Sequence, residues 1–147
     1  MKRILLSIFA LTSACFASME YAILPDYVHI VIDGGTRGQI ELKANADEGI
    51  IEKIDFFYDE EWHEVPKTAF EDLEAVLLHT LQVRFETGND VAYIYFETSY
   101  RDASGAPNPK GIHISFEEGK FTKRSIMTPN SGGSIHGGGY TYESKEL

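Results

Sequence analysis

The chain has 147 residues, with 13 Lys+Arg against 23 Asp+Glu, a formal charge of −10 at neutral pH and a single cysteine. That charge repels nucleic acid and anionic lipid head groups, which excludes both as expected partners. One cysteine cannot make an internal disulfide framework, so the fold must rest on an apolar core that this length is sufficient to bury.

The chain opens on Met1-Lys2-Arg3, a short basic segment, followed by an uncharged apolar run from Ile4 to Ala14 and small residues at Ala14, Cys15 and Ala17. This is the three-part layout of a signal peptide over residues 1–17. The run is shorter than the roughly 20 apolar residues that span a bilayer. Two processing routes stay open. Cleavage after Ala17 leaves residues 18–147 and removes Lys2 and Arg3. Then 11 cationic side chains face 23 carboxylates, and the formal charge moves to −12. Alternatively, Thr12-Ser13-Ala14-Cys15 is similar to a lipobox at its last three positions, though not at Thr12. Lipidation would make Cys15 the anchored first residue. Either route implies an exported protein, periplasmic, secreted or membrane-anchored.

The rest reads mainly as short strands. Val28, Ile30 and Ile32 alternate with His29, Val31 and Asp33, and Ile40, Leu42 and Ala44 alternate with Gln39, Glu41 and Lys43. Ile54, Phe56 and Tyr58 make a third apolar face, and Ile112, Ile114 and Phe116 a later one. A period of two marks strands with one buried face. Between Pro66 and Glu74 the pattern predicts a short helix, with Thr68 and Glu71 spaced as a capping box. Leu73, Leu77 and Leu81 could prolong that helix. Leu81, Val83 and Phe85 also alternate strictly, and Thr87-Gly88-Asn89-Asp90 supplies turn chemistry before Val91–Phe96, so a hairpin is the expected form. Val91–Phe96 is apolar on both faces, as a central strand covered on both sides would be. Arg101 to Gly111 is a loop, Glu118-Gly119 a tight turn, and 129–139 a Gly/Ser-rich segment before a tail or last edge strand. The expected fold is α+β but mostly β. It is one antiparallel sheet-rich domain over 18–147, a meander of about six to eight strands with one short helix near 67–74.

Catalytic and cofactor motifs are missing, and no cofactor is expected. His29, His63, His79, His113 and His136 include no pair at i, i+4, although His29 and His113 could share a site with Asp33 if their strands were neighbours. There is no Gly-x-Ser-x-Gly elbow and no calcium loop. Asp33–Gly38 and Gly137–Gly139 lack the ending of a phosphate loop and read as turns.

Two segments stand out as partner-binding candidates. Asp59, Glu60, Glu61, Glu64, Glu71, Asp72 and Glu74 fall within sixteen residues, opposed only by Lys67, and enclose Trp62, the sole tryptophan. Tryptophan is enriched at binding hot spots, and carboxylates around it would attract a basic partner. Phe56, Tyr58 and Trp62 share parity, but the Asp59-Glu60 turn breaks the register, so the pattern leaves Trp62 open between core and surface. The second candidate is the long loop with Arg101, Asp102 and Ser104. Its Ser104-Gly105-Ala106 is similar to the Ser-Gly segment that bacterial lysozyme inhibitors insert into the cleft of a basic enzyme. Pro107 follows, the aromatic pattern of that family is not recognisable, and no family is assigned on three residues.

The expected function is that of an exported, non-catalytic binding protein of the bacterial envelope, an inhibitor or immunity-type protein for a basic protein partner. The alternatives are an envelope structural or accessory lipoprotein anchored through Cys15, and a hydrolase without a recognisable motif.

Overall fold

The structure is a computed structural model that describes residues 26–86, 88–99, 105, 108–129 and 139–147. The 1–17 signal reading, Cys15, Arg101, Asp102 and Ser104 lie outside the described residues. Nine strands are described: β1 (Tyr27–Asp33), β2 (Gln39–Asp47), β3 (Ile50–Tyr58), β4 (Glu61–Glu64), β5 (Val76–Glu86), β6 (Val91–Thr98), β7 (Lys110–Glu117), β8 (Lys120–Pro129) and β9 (Tyr140–Glu146). The mostly-β, antiparallel expectation holds. The strands divide, however, between a first sheet, β1-β2-β3-β4, and a second, β5-β6-β7-β8-β9, instead of lying in one. The physical reason is burial. A single sheet would leave its apolar face wet, whereas two sheets cover each other's.

The alternation read from the sequence sets which face is covered. Ile40, Leu42, Ala44 and Ala46 of β2, with Ile54, Phe56 and Tyr58 of β3, point inward and are buried. So do Ile94 and Phe96 of β6 and Ile112, Ile114 and Phe116 of β7. The sheets meet through rings. Phe116 lies 5.0 Å from Phe56 and 5.2 Å from Tyr58, both edge-on, and 4.9 Å from Phe121. One apolar cluster draws on both sheets. β6 is an interior strand between β5 and β7, not the central one. Its outer face is half-buried, shielded by side chains of its neighbours and not by a helix: His113 of β7 packs 4.9 Å from Tyr95, and Arg84 of β5 lies over the same ring at 5.2 Å.

The short helix expected near 67–74 shrinks to a 3-10 turn, Lys67–Ala69, capped by Pro66, which offers no side-chain acceptor. The Thr68–Glu71 capping box therefore does not cap a helix. Arg124 of β8 explains the difference. It is only 2% exposed, donates to the Ala69 carbonyl at 3.3 Å, and forms a two-pronged ion pair with Asp72 (Nη2 to Oδ2 3.1 Å). In an α-helix the Ala69 carbonyl would accept from residue 73; here Leu73 N–H bonds to Phe70 instead. A buried guanidinium without its carboxylate is costly, so the Arg124–Asp72 pair decides the local conformation. The stretch after it is strand β5, not helix, and the chain end after 139 is an edge strand, β9.

Three hairpins close with two residues at positive φ, the requirement of a type I′ turn: Glu48-Gly49 (46°, 81°), Glu118-Gly119 (51°, 79°) and Asp59-Glu60 (52°, 65°). Only the last lacks glycine. A side chain in the left-handed region costs roughly 1–2 kcal/mol.

Two outcomes follow. Glu60→Gly raises unfolding stability by about 1 kcal/mol in urea titration; no gain would mean the turn stores no strain. For Asp72, the Arg124 guanidinium holds the carboxyl below its ordinary value of 3.8. A carboxyl with a depressed folded pKa stabilises the fold above the unfolded pKa and loses that contribution as pH falls through the folded value. Asp72→Asn therefore lowers stability at neutral pH by about 1–2 kcal/mol, discounted because Asp72 is half exposed. The gap from wild type closes as pH falls below about 4, read by unfolding curves at stepped pH.

Candidate functional site

Phe56 and Tyr58 face inward, so Phe57 between them must face out. Across the hairpin, Tyr58 opposes Glu61, Phe57 opposes Trp62, Phe56 opposes His63 and Asp55 opposes Glu64. Val65 N–H bonds to the Ile54 carbonyl at 2.9 Å. By alternation Phe57 and Trp62 are then a non-hydrogen-bonded pair, the kind whose side chains stand closest. Their rings lie 5.2 Å apart on the outer face of the first sheet, and Trp62 is 43% exposed. The surface reading of Trp62 is the one the structure supports.

Lys43 of β2 places its ammonium 4.3 Å from the centre of the Trp62 ring. An indole face attracts cations through its quadrupole, by about 0.5–1 kcal/mol at exposed sites. Carboxylates and a second lysine share this face with the pair. Asp55 and Glu64 share Lys53, at 3.0 and 3.7 Å, and Glu41 accepts from His29 at 2.8 Å. Glu60, at the strained turn tip, joins Phe57, Glu41, Asp59, Gln39 and Arg37 around an open hollow of about 530 Å³.

Glu61 is separated from this face. As the partner of Tyr58 it points the other way, into a second hollow of about 360 Å³ with His63, Asp90, Glu118 and Arg37. There Arg37 forms ion pairs with Asp90 and, at 3.9 Å, with Asp59. The Tyr58 hydroxyl donates to Asp90 at 2.7 Å. Burial, reinforced by Asp90, pushes the Tyr58 hydroxyl up to about 12. The bond joins the first sheet to the turn between β5 and β6. Among the described residues no cation pairs with Glu60 or Glu61.

The acidic run of the sequence thus separates in space. Trp62 and Glu64 share the outer face, Glu60 stands at its rim, Glu61 lines the second hollow, and Asp72 is engaged by Arg124. Phe57, Lys43 and Glu41 belong to the site and were not singled out from sequence. The available signal was Phe57, an aromatic residue out of phase with its buried neighbours.

Among the described residues no group of three His, Cys, Asp or Glu is placed to hold a metal ion. His29 and His113 lie on different sheets, and His29 is engaged by Glu41, so the site they might have shared with Asp33 does not form. Burial, with Arg84 nearby, pushes the His113 imidazole below its ordinary value. No described helix is long and apolar enough to cross a membrane. The outer face of the first sheet thus carries a stacked aromatic pair, an ammonium on the indole and three carboxylates engaged by Lys53 and His29. Compared with known proteins, the chain matches no family model, no curated protein and no solved structure.

Proposed function

We propose that this chain is an exported, non-catalytic binding protein that holds a basic protein partner on the outer face of its first sheet. The observation that carries the reading is Trp62. The only tryptophan of a chain that needs core volume stands exposed on a sheet surface, stacked on Phe57, with an ammonium already on its ring. An incoming lysine or arginine would take the place that Lys43 holds on the ring. The ring of carboxylates raises the encounter rate with cationic surfaces and disfavours acidic ones.

The turn beside it supports the same reading. Asp59-Glu60 takes a backbone form that the chain elsewhere closes with glycine, and it puts two carboxylates at the rim of the site. Backbone strain of this kind collects where function requires a particular side chain.

The test is affinity capture from envelope and secreted proteins at low salt, with wild type, Trp62→Ala and Glu60→Gln/Glu64→Gln as parallel baits. The expected result is one basic protein retained by wild type and released as salt rises from 0.1 to 1 M, over which the screening length falls from about 10 to 3 Å. Trp62→Ala should weaken its measured affinity about thirtyfold, the scale of a hot-spot truncation. A partner held equally by all three baits, or none at any salt, would overturn the proposal.

A further inference from the structure

The two sheets have four edges, and they are not equally protected. β1 and β5 lie alongside one another, and β4 is only four residues long and carries two glutamates. β9 is different. It is seven residues long, exposed on both faces, paired without a bulge, and free of proline. Two of the four exposed large hydrophobic residues among the described residues, Tyr140 (50%) and Tyr142 (68%), lie on it. A long, regular edge with no strand paired to it among the described residues is a template for another strand, and the Glu143, Lys145 and Glu146 side chains on it admit only a partner that matches their charges.

The register with β8 shows which groups are on offer. Leu147 N–H bonds to the Thr122 carbonyl at 3.1 Å, continuing the pairing of Lys123 with Glu146. By alternation, odd-numbered positions bond to β8, while the backbone groups of Tyr140, Tyr142, Ser144 and Glu146 point away from it. No described strand pairs with that side.

The charges on β9 select its occupant. Consider a second β9 added antiparallel about a two-fold axis. Centred on Glu143, it would set Glu143 against its own copy, which is destabilising. Centred on Tyr142, it would oppose Glu143 with Thr141 and leave Lys145 without an acidic partner. Centred on Ser144, the outward groups of Ser144 meet their own copies and those of Tyr142 meet Glu146. Glu143 then opposes Lys145 twice, at the close non-hydrogen-bonded positions. The segment is self-complementary in this one register, as an isologous interface requires.

We propose that β9 is a homodimer interface in which two copies pair antiparallel about Ser144, joining two five-stranded sheets into one. The interface lies on the sheet opposite Trp62, so each dimer presents two copies of the aromatic, carboxylate-ringed face.

Sedimentation equilibrium of the purified protein from micromolar to submillimolar concentration tests this, with unfolding curves to check each variant. Wild type should approach twice the chain mass. Ser144→Pro removes an N–H that faces the partner and not β8, so it should stay folded and become monomeric. Glu143→Lys sets lysine against lysine and should also be monomeric, and the exchange Glu143→Lys/Lys145→Glu should recover the dimer. A wild type that is monomeric throughout, or a dimer that persists in both Ser144→Pro and Glu143→Lys, would overturn the interface. A folded exchange variant that stays monomeric would overturn the Ser144-centred pairing.

Discussion

Phe116 is the residue on which the two sheets depend. Its ring touches Phe56 and Tyr58 from the first sheet and Phe121 from its own, and His63 packs on it at 4.9 Å. With one cysteine in the chain, no internal disulfide can share the work, so contact between sheets must come from side-chain volume. Truncating a buried aromatic ring of this kind typically costs 3–5 kcal/mol, a large part of the stability of a small domain. The Arg124–Asp72 pair then ties the connection between the sheets to β8, and the Tyr58–Asp90–Arg37 chain ties the sheets at another place.

The exposed site follows from the buried one. Once Phe56 and Tyr58 are committed to Phe116, Phe57 has only the outer face available, and the two-residue turn brings Trp62 opposite it. An indole outside the core forgoes about 2–3 kcal/mol of burial, and the left-handed Asp59-Glu60 turn forgoes further stability. Both losses fall within four residues, beside the same hollow. Sequences are expected to depart from local consistency at functional sites, and here the departures coincide with the face proposed to hold a cationic partner.

The core strands were legible where they have one wet and one dry face. The alternation at Ile40–Ala44, Ile112–Phe116 and Leu81–Phe85 is visible without any knowledge of partners. What pairs face to face was not, because Phe56 and Phe116 are sixty residues apart and nothing local connects them. The helix expected near 67–74 is cut to a 3-10 turn for a similar reason: the guanidinium that takes the Ala69 carbonyl comes from β8, far along the chain. Parity alone left Trp62 undecided. A two-residue turn pairs an even position with an odd one, Tyr58 with Glu61, so Trp62 inherits the phase of Phe57 and not of Phe56. The same geometry separates Glu61 from Glu64, which the sequence presents as one acidic run.

Because Trp62 is the only tryptophan, the emission of the folded protein reports on this site alone. The most direct measurement is quenching of that emission by caesium and by iodide at matched ionic strength. With each ion's quenching taken relative to that of a free neutral tryptophan derivative, an indole on the surface among carboxylates should emit at the long wavelength of solvated tryptophan and be quenched relatively more by the cation, with the difference shrinking near 1 M salt as screening sets in. Blue-shifted emission resistant to both ions would place Trp62 in the core, and stronger quenching by iodide would remove the acidic surroundings; either would contradict a cation-binding face.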